Sequence, residues 1–255
     1  MPRGKCKLCL QTKELMNSHL MPAALYRKSR QEGAQNPNPI ILTSRGSVRT
    51  SRQTRDYVLC GNCEGLFSRN GEKYVMGQVF DGSKFPMLDT LHAVPSIKMG
   101  PNFEVYDQAM VPTIDRERLA YFALSVFWRA SAHAWKQQDD PPITIDLRPY
   151  SEVLRKFLLG ETAFPEKVVL HVIVCTDSMT QDMFYMPGLA RKQEERTYSF
   201  QARGLNFFMT VGKRIPEQLR ELCCITGPRK VILTRSCEGK SIEFIQSIKS
   251  SRRSA

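Results

Sequence analysis

Apolar side chains recur at helical spacing in one long stretch of this chain. In residues 116–135 (RERLAYFALSVFWRASAHAW), Leu119, Phe122, Ala123, Val126, Phe127 and Ala130 fall on one face of a helix and form its expected buried stripe. Asp115 stands before the run as an N-cap, and DDPP at 139–142 ends it. A second helix is expected over 150–159. From residue 167 the pattern changes. KVVLHVIVC is a run of β-branched and apolar residues, which suits a largely buried strand. DMFYM, RTYSFQ, NFFMTVG and RKVILTR predict further strands, and IPEQLRELCC a helix opened by Pro216.

The first half is less regular. A short strand is expected at 103–106, within a loop-rich stretch over 77–112. EGLFSRNGEKYV, after Cys63, suits a short helix with Leu66, Phe67 and Tyr74 on one face. Gly71 weakens that helix by about 1 kcal/mol relative to alanine. Residues 43–56 are polar, rich in Ser and Arg, and read as a loop or irregular ribbon. The expected fold class is α+β: a small zinc-bound treble-clef or ββα module at 1–76, a loop-rich linker at 77–99, and a mixed α+β domain with an antiparallel or mixed sheet at 100–246. A basic, Ser-rich tail at 247–255 is expected to be disordered.

Charge sharpens the division. Across 255 residues the formal net charge is +12. Residues 1–76 alone hold 13 basic side chains against five acidic ones. Such an excess favours a polyanionic partner. No run approaches the roughly 20 apolar residues of a membrane helix, and the first residues, MPRGKC, lack the apolar core of a secretion signal. No membrane association is expected, and a reducing, cytoplasmic compartment is. The eight cysteines are therefore expected as metal ligands or buried thiols.

Cys6-Lys7-Leu8-Cys9 and Cys60-Gly61-Asn62-Cys63 are two CxxC pairs. Each pair can grip one tetrahedral Zn²⁺ from a tight turn, and together they close a four-thiolate structural site. The second pair opens the predicted helix, whose first amides favour thiolate charge. Between the pairs lies Ser18-His19-Leu20-Met21-Pro22, and Leu59-Cys60-Gly61-Asn62-Cys63-Glu64 closes the excursion. Over residues 5–76 this arrangement resembles the zinc-bearing branch of the HNH endonuclease family. That pattern runs CxxC, an acidic residue and His, two residues and Pro, an Asn, then LCxxCH. Ser18, Arg55 with Asp56, and Glu64 occupy the positions of its acidic residue, Asn and last His.

The resemblance implies a metal-dependent nuclease acting on DNA more than RNA. His19 takes the place of the general base, and a pKa near 6.5 suits that role. Glu64, and Glu72 eight residues on, are candidate carboxylate ligands for a catalytic Mg²⁺ or Mn²⁺, with Asp56 as another. Arg45, Arg49, Arg52, Arg55 and Lys73, with Arg69, are candidate phosphate contacts. Tyr26, Arg27, Lys28 and Arg30 form a second basic cluster. The alternative is a catalytically inactive module on the same scaffold that binds nucleic acid or a partner protein, the later domain choosing substrate or partner. His133 and His171 are expected to serve packing, and Cys175, Cys223, Cys224 and Cys237 to lie in or near the core. The chain contains no internal repeat, glycine-rich phosphate loop or nucleophile-elbow signature.

Overall fold

The computed structural model describes residues 1–30, 35, 37–43, 46–137 and 140–236; of residues 40–43, 46–49 and 179 it describes the backbone alone. Strand β1 (Arg3–Lys5) leads through the first CxxC turn into β2 (Thr12–His19), followed by helix α1 (Ala23–Lys28) and the antiparallel pair β3 (Ile40–Thr43) and β4 (Gly46–Arg49). Strand β5 (Arg55–Cys60) returns beside β2, giving a three-stranded sheet in the order β1-β2-β5. The polar stretch read as a loop or ribbon thus contributes β4 and the start of β5.

A register shift in the β2–β5 ladder leaves Val58 as an extra residue on β5, between the Met16–Leu59 and Asn17–Tyr57 pairs. Such a bulge breaks the in-out alternation of a strand. Val58, Leu59 and Cys60 are accordingly all buried in succession. The extra residue also lets the Val58 carbonyl accept from the Lys7 amide at 3.1 Å, fastening the first CxxC turn to β5.

Helix α2 (Gly61–Phe67) passes through a π-helical turn (Ser68–Glu72) into α3 (Lys73–Gln78), so the helix expected over 64–75 is present and extends three residues further at each end. Gly71 lies in that turn. A Cβ there would stand 2.8 Å from the amide nitrogen of Phe122 and 2.9 Å from its Cα. The glycine is where two helix backbones touch.

The loop-rich stretch contains α4 (Pro86–His92), whose Met87 and Leu91 are buried. After it come β6 (Lys98–Gly100), β7 (Phe103–Tyr106), which matches the expected strand, and a single 3₁₀ turn. The long helix, α5 (Arg116–Ala132), is capped by Asp115, whose Oδ1 accepts from the Arg118 amide at 3.0 Å. All six expected stripe residues are buried, but so are Ala120, Tyr121, Leu124, Ser125, Trp128 and Arg129. The helix has no solvent face along its middle. It is pinned by the α2–α3 segment on one side and by Phe200 and Phe207 of the large sheet on another, with Phe157 against Tyr121. It ends at Ala132, three residues before the expected Trp135, because His133 is already extended and Trp135 bridges to Ile143.

Helix α6 (Tyr150–Leu158) follows, then β8 (Val168–Cys175), the one-turn α7 (Ser178–Gln181), β9 (Phe184–Lys192), β10 (Arg196–Ala202), β11 (Leu205–Val211), α8 (Glu217–Glu221) and β12 (Ile232–Arg235). The seven-stranded sheet has the order β6-β7-β12-β8-β11-β10-β9 and is mixed, since β12 runs parallel to β8. The expected 150–159 helix and the strands after residue 167 are present, with DMFYM only the start of a longer β9 and IPEQLRELCC reduced to α8. Strand β8 is nearly all buried because Leu170, Val172 and Val174 join the main core cluster while Val169 packs with Ile215 and Cys223. The β10–β11 hairpin turns on Arg203 and Gly204, both at positive φ. One buried cluster runs from Cys6 and Leu8 through α5 to Ile232. Among the described residues, no helix is long and apolar enough to cross a membrane. Cys237 and the 247–255 tail lie outside the described residues.

Candidate metal centre and the charged cluster beside it

The first CxxC turn links β1 to β2; Cys60 ends β5 and Cys63 lies in the first turn of α2. This knuckle, hairpin and helix is a treble-clef arrangement. The four Sγ atoms lie within 4.8 Å of one another, and Cys9 and Cys60 are 3.9 Å apart. Tetrahedral Zn–S bonds of about 2.3 Å require sulfur–sulfur edges of about 3.8 Å. The donor set fits a metal ion such as zinc. Cys6, Cys60 and Cys63 are buried and Cys9 is half-buried.

The charge state of the thiols follows from their mutual contacts. Hydrogen bonding from Cys63 is the chief cause of the drop in the Cys6 pKa to about 4, opposed by burial and helped by backbone amides, including that of Cys60 at 3.3 Å. The Cys63 thiol is pushed up, first by its bond to Cys6 and then by burial. Burial likewise raises Cys9. By themselves these contacts favour a thiolate at Cys6 and a proton on Cys9 and Cys63. A divalent ion reverses that preference and releases the protons.

Glu64 follows Cys63 in α2, whereas His19 ends β2, four residues along that strand from Leu15, the ladder partner of Cys60. Glu64 is pushed up chiefly by burial, with Ser18 and Arg129 opposing. Ser18 is itself buried, and its hydroxyl accepts from the Leu59 amide at 3.1 Å. His19 is lowered chiefly by burial, with Gln53 opposing as a hydrogen-bond partner. His19 Nε2 and Glu64 Oε1 are both buried and have no hydrogen-bond partner among the described residues.

Arg129 of α5 occupies the centre of this cluster at 1% exposure. Its Nη2 meets Glu72 Oε1 at 2.7 Å, its Nη1 donates to the His19 carbonyl at 2.8 Å, and its guanidinium lies 5.2 Å from the centroid of the Phe67 ring. Glu72 does face this side of its helix, as anticipated, but its partner is an arginine. Among the described residues, the four cysteines are the group of three or more His, Cys, Asp or Glu side chains gathered closely enough to hold an ion. Asp56, also expected as a ligand, instead accepts from His133, Nε2 to Oδ2 being 2.9 Å. His133 therefore does more than pack against Trp135.

Arg52, Arg55 and Lys73 are exposed, and Arg55 pairs in register with His19. Arg69 is exposed too. Arg49 belongs to β4, its side chain outside the description, and Arg45 lies outside the described residues. Tyr26, expected within a basic cluster, is buried, and its hydroxyl accepts from the Thr54 amide at 3.3 Å. His171 is the satisfied core histidine expected, its Nε2 2.8 Å from the Leu219 carbonyl. Cys175, Cys223 and Cys224 are buried as expected. Sequence reasoning missed Arg129 and Gln53. The available signal for Arg129 was a lone cation in the apolar run from Leu119 to Ala130. Compared with known proteins, the chain matches no family model, no curated protein and no solved structure.

Proposed function

We propose that this chain is an HNH-like nuclease that hydrolyses nucleic-acid phosphodiesters, DNA more than RNA, on a scaffold held by a structural Zn²⁺ at Cys6, Cys9, Cys60 and Cys63. The observation that carries the reading is that His19 Nε2 and Glu64 Oε1 are both buried and unsatisfied among the described residues, on side chains that share the charges of Arg129 and Glu72 as surroundings. Leaving a buried polar atom without a partner costs about 1–3 kcal/mol. Two such atoms on residues around one buried arginine favour groups kept for chemistry.

Burial holds His19 below the usual histidine range, so its imidazole is neutral near pH 7 and Nε2 can take a proton from water. Glu64 offers its unpartnered oxygen to a Mg²⁺ or Mn²⁺ ion, which typically needs one or two carboxylates besides water and phosphate oxygens. When bound, such an ion offsets negative charge on the phosphate. Arg55, exposed and opposite His19 in the ladder, and the exposed Arg52 would receive backbone phosphates.

A second reading, binding without cleavage, is favoured by Arg129. Its guanidinium already neutralises Glu72, and Glu64 is left as a single carboxylate. One experiment separates the two. Supercoiled plasmid is incubated with the parent protein, His19→Ala and Glu64→Gln in Mg²⁺ or Mn²⁺, while binding is measured in parallel. The nuclease reading expects parent cleavage, a loss of about 10²–10⁴-fold in His19→Ala, and unchanged binding. Salt-sensitive binding by the parent with no cleavage under either ion would establish the second reading in its place.

A further inference from the structure

Three separate segments of the later half converge on a cavity of about 470 Å³ lined by Arg148, Arg196, Lys213 and Arg214, with Asp146 and Glu194 as its acids. Arg148 lies two residues before α6, Arg196 begins β10, and Lys213 and Arg214 follow the end of β11. These cations are distant in sequence, and the charge of the later chain is nearly balanced, so no charge run marks them.

The cavity has an ordering device. Asp146 Oδ1 accepts from Arg148 at both the backbone amide (3.1 Å) and Nε (3.0 Å), while its Oδ2 accepts from Arg196 Nη1 at 3.1 Å. One carboxylate thereby aligns two guanidinium groups. The Asp146 carbonyl also accepts from Arg196 Nη1 and from the Tyr198 hydroxyl, which fastens the segment to the large sheet. The Arg148 contact uses Nε and leaves its terminal nitrogens to face a ligand. Lys213 and Arg214 are exposed, and neither has an ion-pair partner among the described residues. Guanidinium groups held by one edge and free at the other match the oxygens of a phosphate, and a neighbouring ammonium adds an unconstrained positive charge.

We propose that this cavity seats the sugar-phosphate backbone of the bound nucleic acid, as a second contact remote in sequence from the cysteine-bearing module. The assignment rests on the nucleic-acid reading above and adds to it where the later half touches its substrate. Phosphate contacts of this kind position a nucleic acid and are blind to its bases.

The test uses the full chain, a fluorescent 30-base-pair DNA duplex and a salt titration of affinity. The variant combines Arg148→Gln, Lys213→Gln and Arg214→Gln, all exposed positions outside the core. Each phosphate contact to duplex DNA contributes about 0.9 to the slope of log affinity against log salt. The expected result is a slope lower by about 2 to 3, with affinity down at least tenfold near 0.1 M salt and equally so on unrelated sequences. A second variant, Arg148→Lys with Arg214→Lys, is expected to retain most of the slope. Tight parent binding with an unchanged slope in the glutamine variant would overturn this contact and leave the nucleic-acid reading standing. Loss of inorganic-phosphate binding in that variant without any change for DNA would also overturn it, marking a free-anion pocket. A parent protein that binds neither DNA nor RNA at low salt would remove the underlying reading itself.

Discussion

Arg129 shares its guanidinium between Glu72, the His19 carbonyl and Ser125, within a helix that has no exposed face at that point. Replacing it by methionine keeps much of the volume but leaves the Glu72 carboxylate without its cation. Breaking a buried pair in this way costs about 3–5 kcal/mol. Arg129→Met is expected to lose stability of that order in urea denaturation, and Arg129→Lys to recover little, because one ammonium cannot reach both acceptors in the same geometry. A loss below about 1 kcal/mol would mean that the cluster admits water readily. The cysteines were legible at this scale because a CxxC spacing carries its own geometry. Arg129 was not, since its partners lie 57 and 110 positions away and nothing local announces them.

Among the elements, α5 shows how periodicity can be right about a face and silent about its surroundings. The stripe from Leu119 to Ala130 is buried as read. The remaining sides are buried too, because the chain before and after the helix packs around it. Gly71 carries the same lesson with an opposite sign. Alanine in place of glycine within an open helix is stabilising by about 1 kcal/mol. Here the added Cβ would press on the Phe122 backbone, and overpacking of this kind costs typically 1–3 kcal/mol. Gly71→Ala is therefore expected to lower the melting temperature, and a rise would show that the two helices are free to separate. The β5 bulge was equally hidden: an extra residue in a ladder is visible only once both strands are paired.

Across the whole molecule, the four-cysteine centre is joined to the long helix through side chains as well as through the chain. Phe67 of α2 meets Trp128 at 6.1 Å between ring centroids, and Arg155 Nη1 donates to the Leu8 carbonyl at 2.8 Å. Arg203, in the β10–β11 turn, donates through Nε to the Phe80 carbonyl at 2.8 Å. Elemental analysis is expected to find one zinc per chain. Chelation, or Cys63→Ser, is expected to lower the melting temperature by at least ~10 °C, a loss of several kcal/mol in a chain of this size. It should also alter the emission of the two tryptophans, Trp128 and Trp135, both buried in or beside α5. A melting curve indifferent to chelator would mean that the sulfurs are clustered but hold no metal.

Local rules sufficed for the α+β class, the capped helix at Asp115, the strand run at β8 and the two cysteine pairs, since each depends on residues within a turn or two of one another. Tertiary structure decided that the cysteine pairs meet, that Glu72 faces an arginine, that Asp56 faces His133, and that cations from 148 to 214 line one cavity. Those outcomes depend on which distant surfaces exclude water together, and a linear pattern of residues does not contain that information until the backbone has closed on itself.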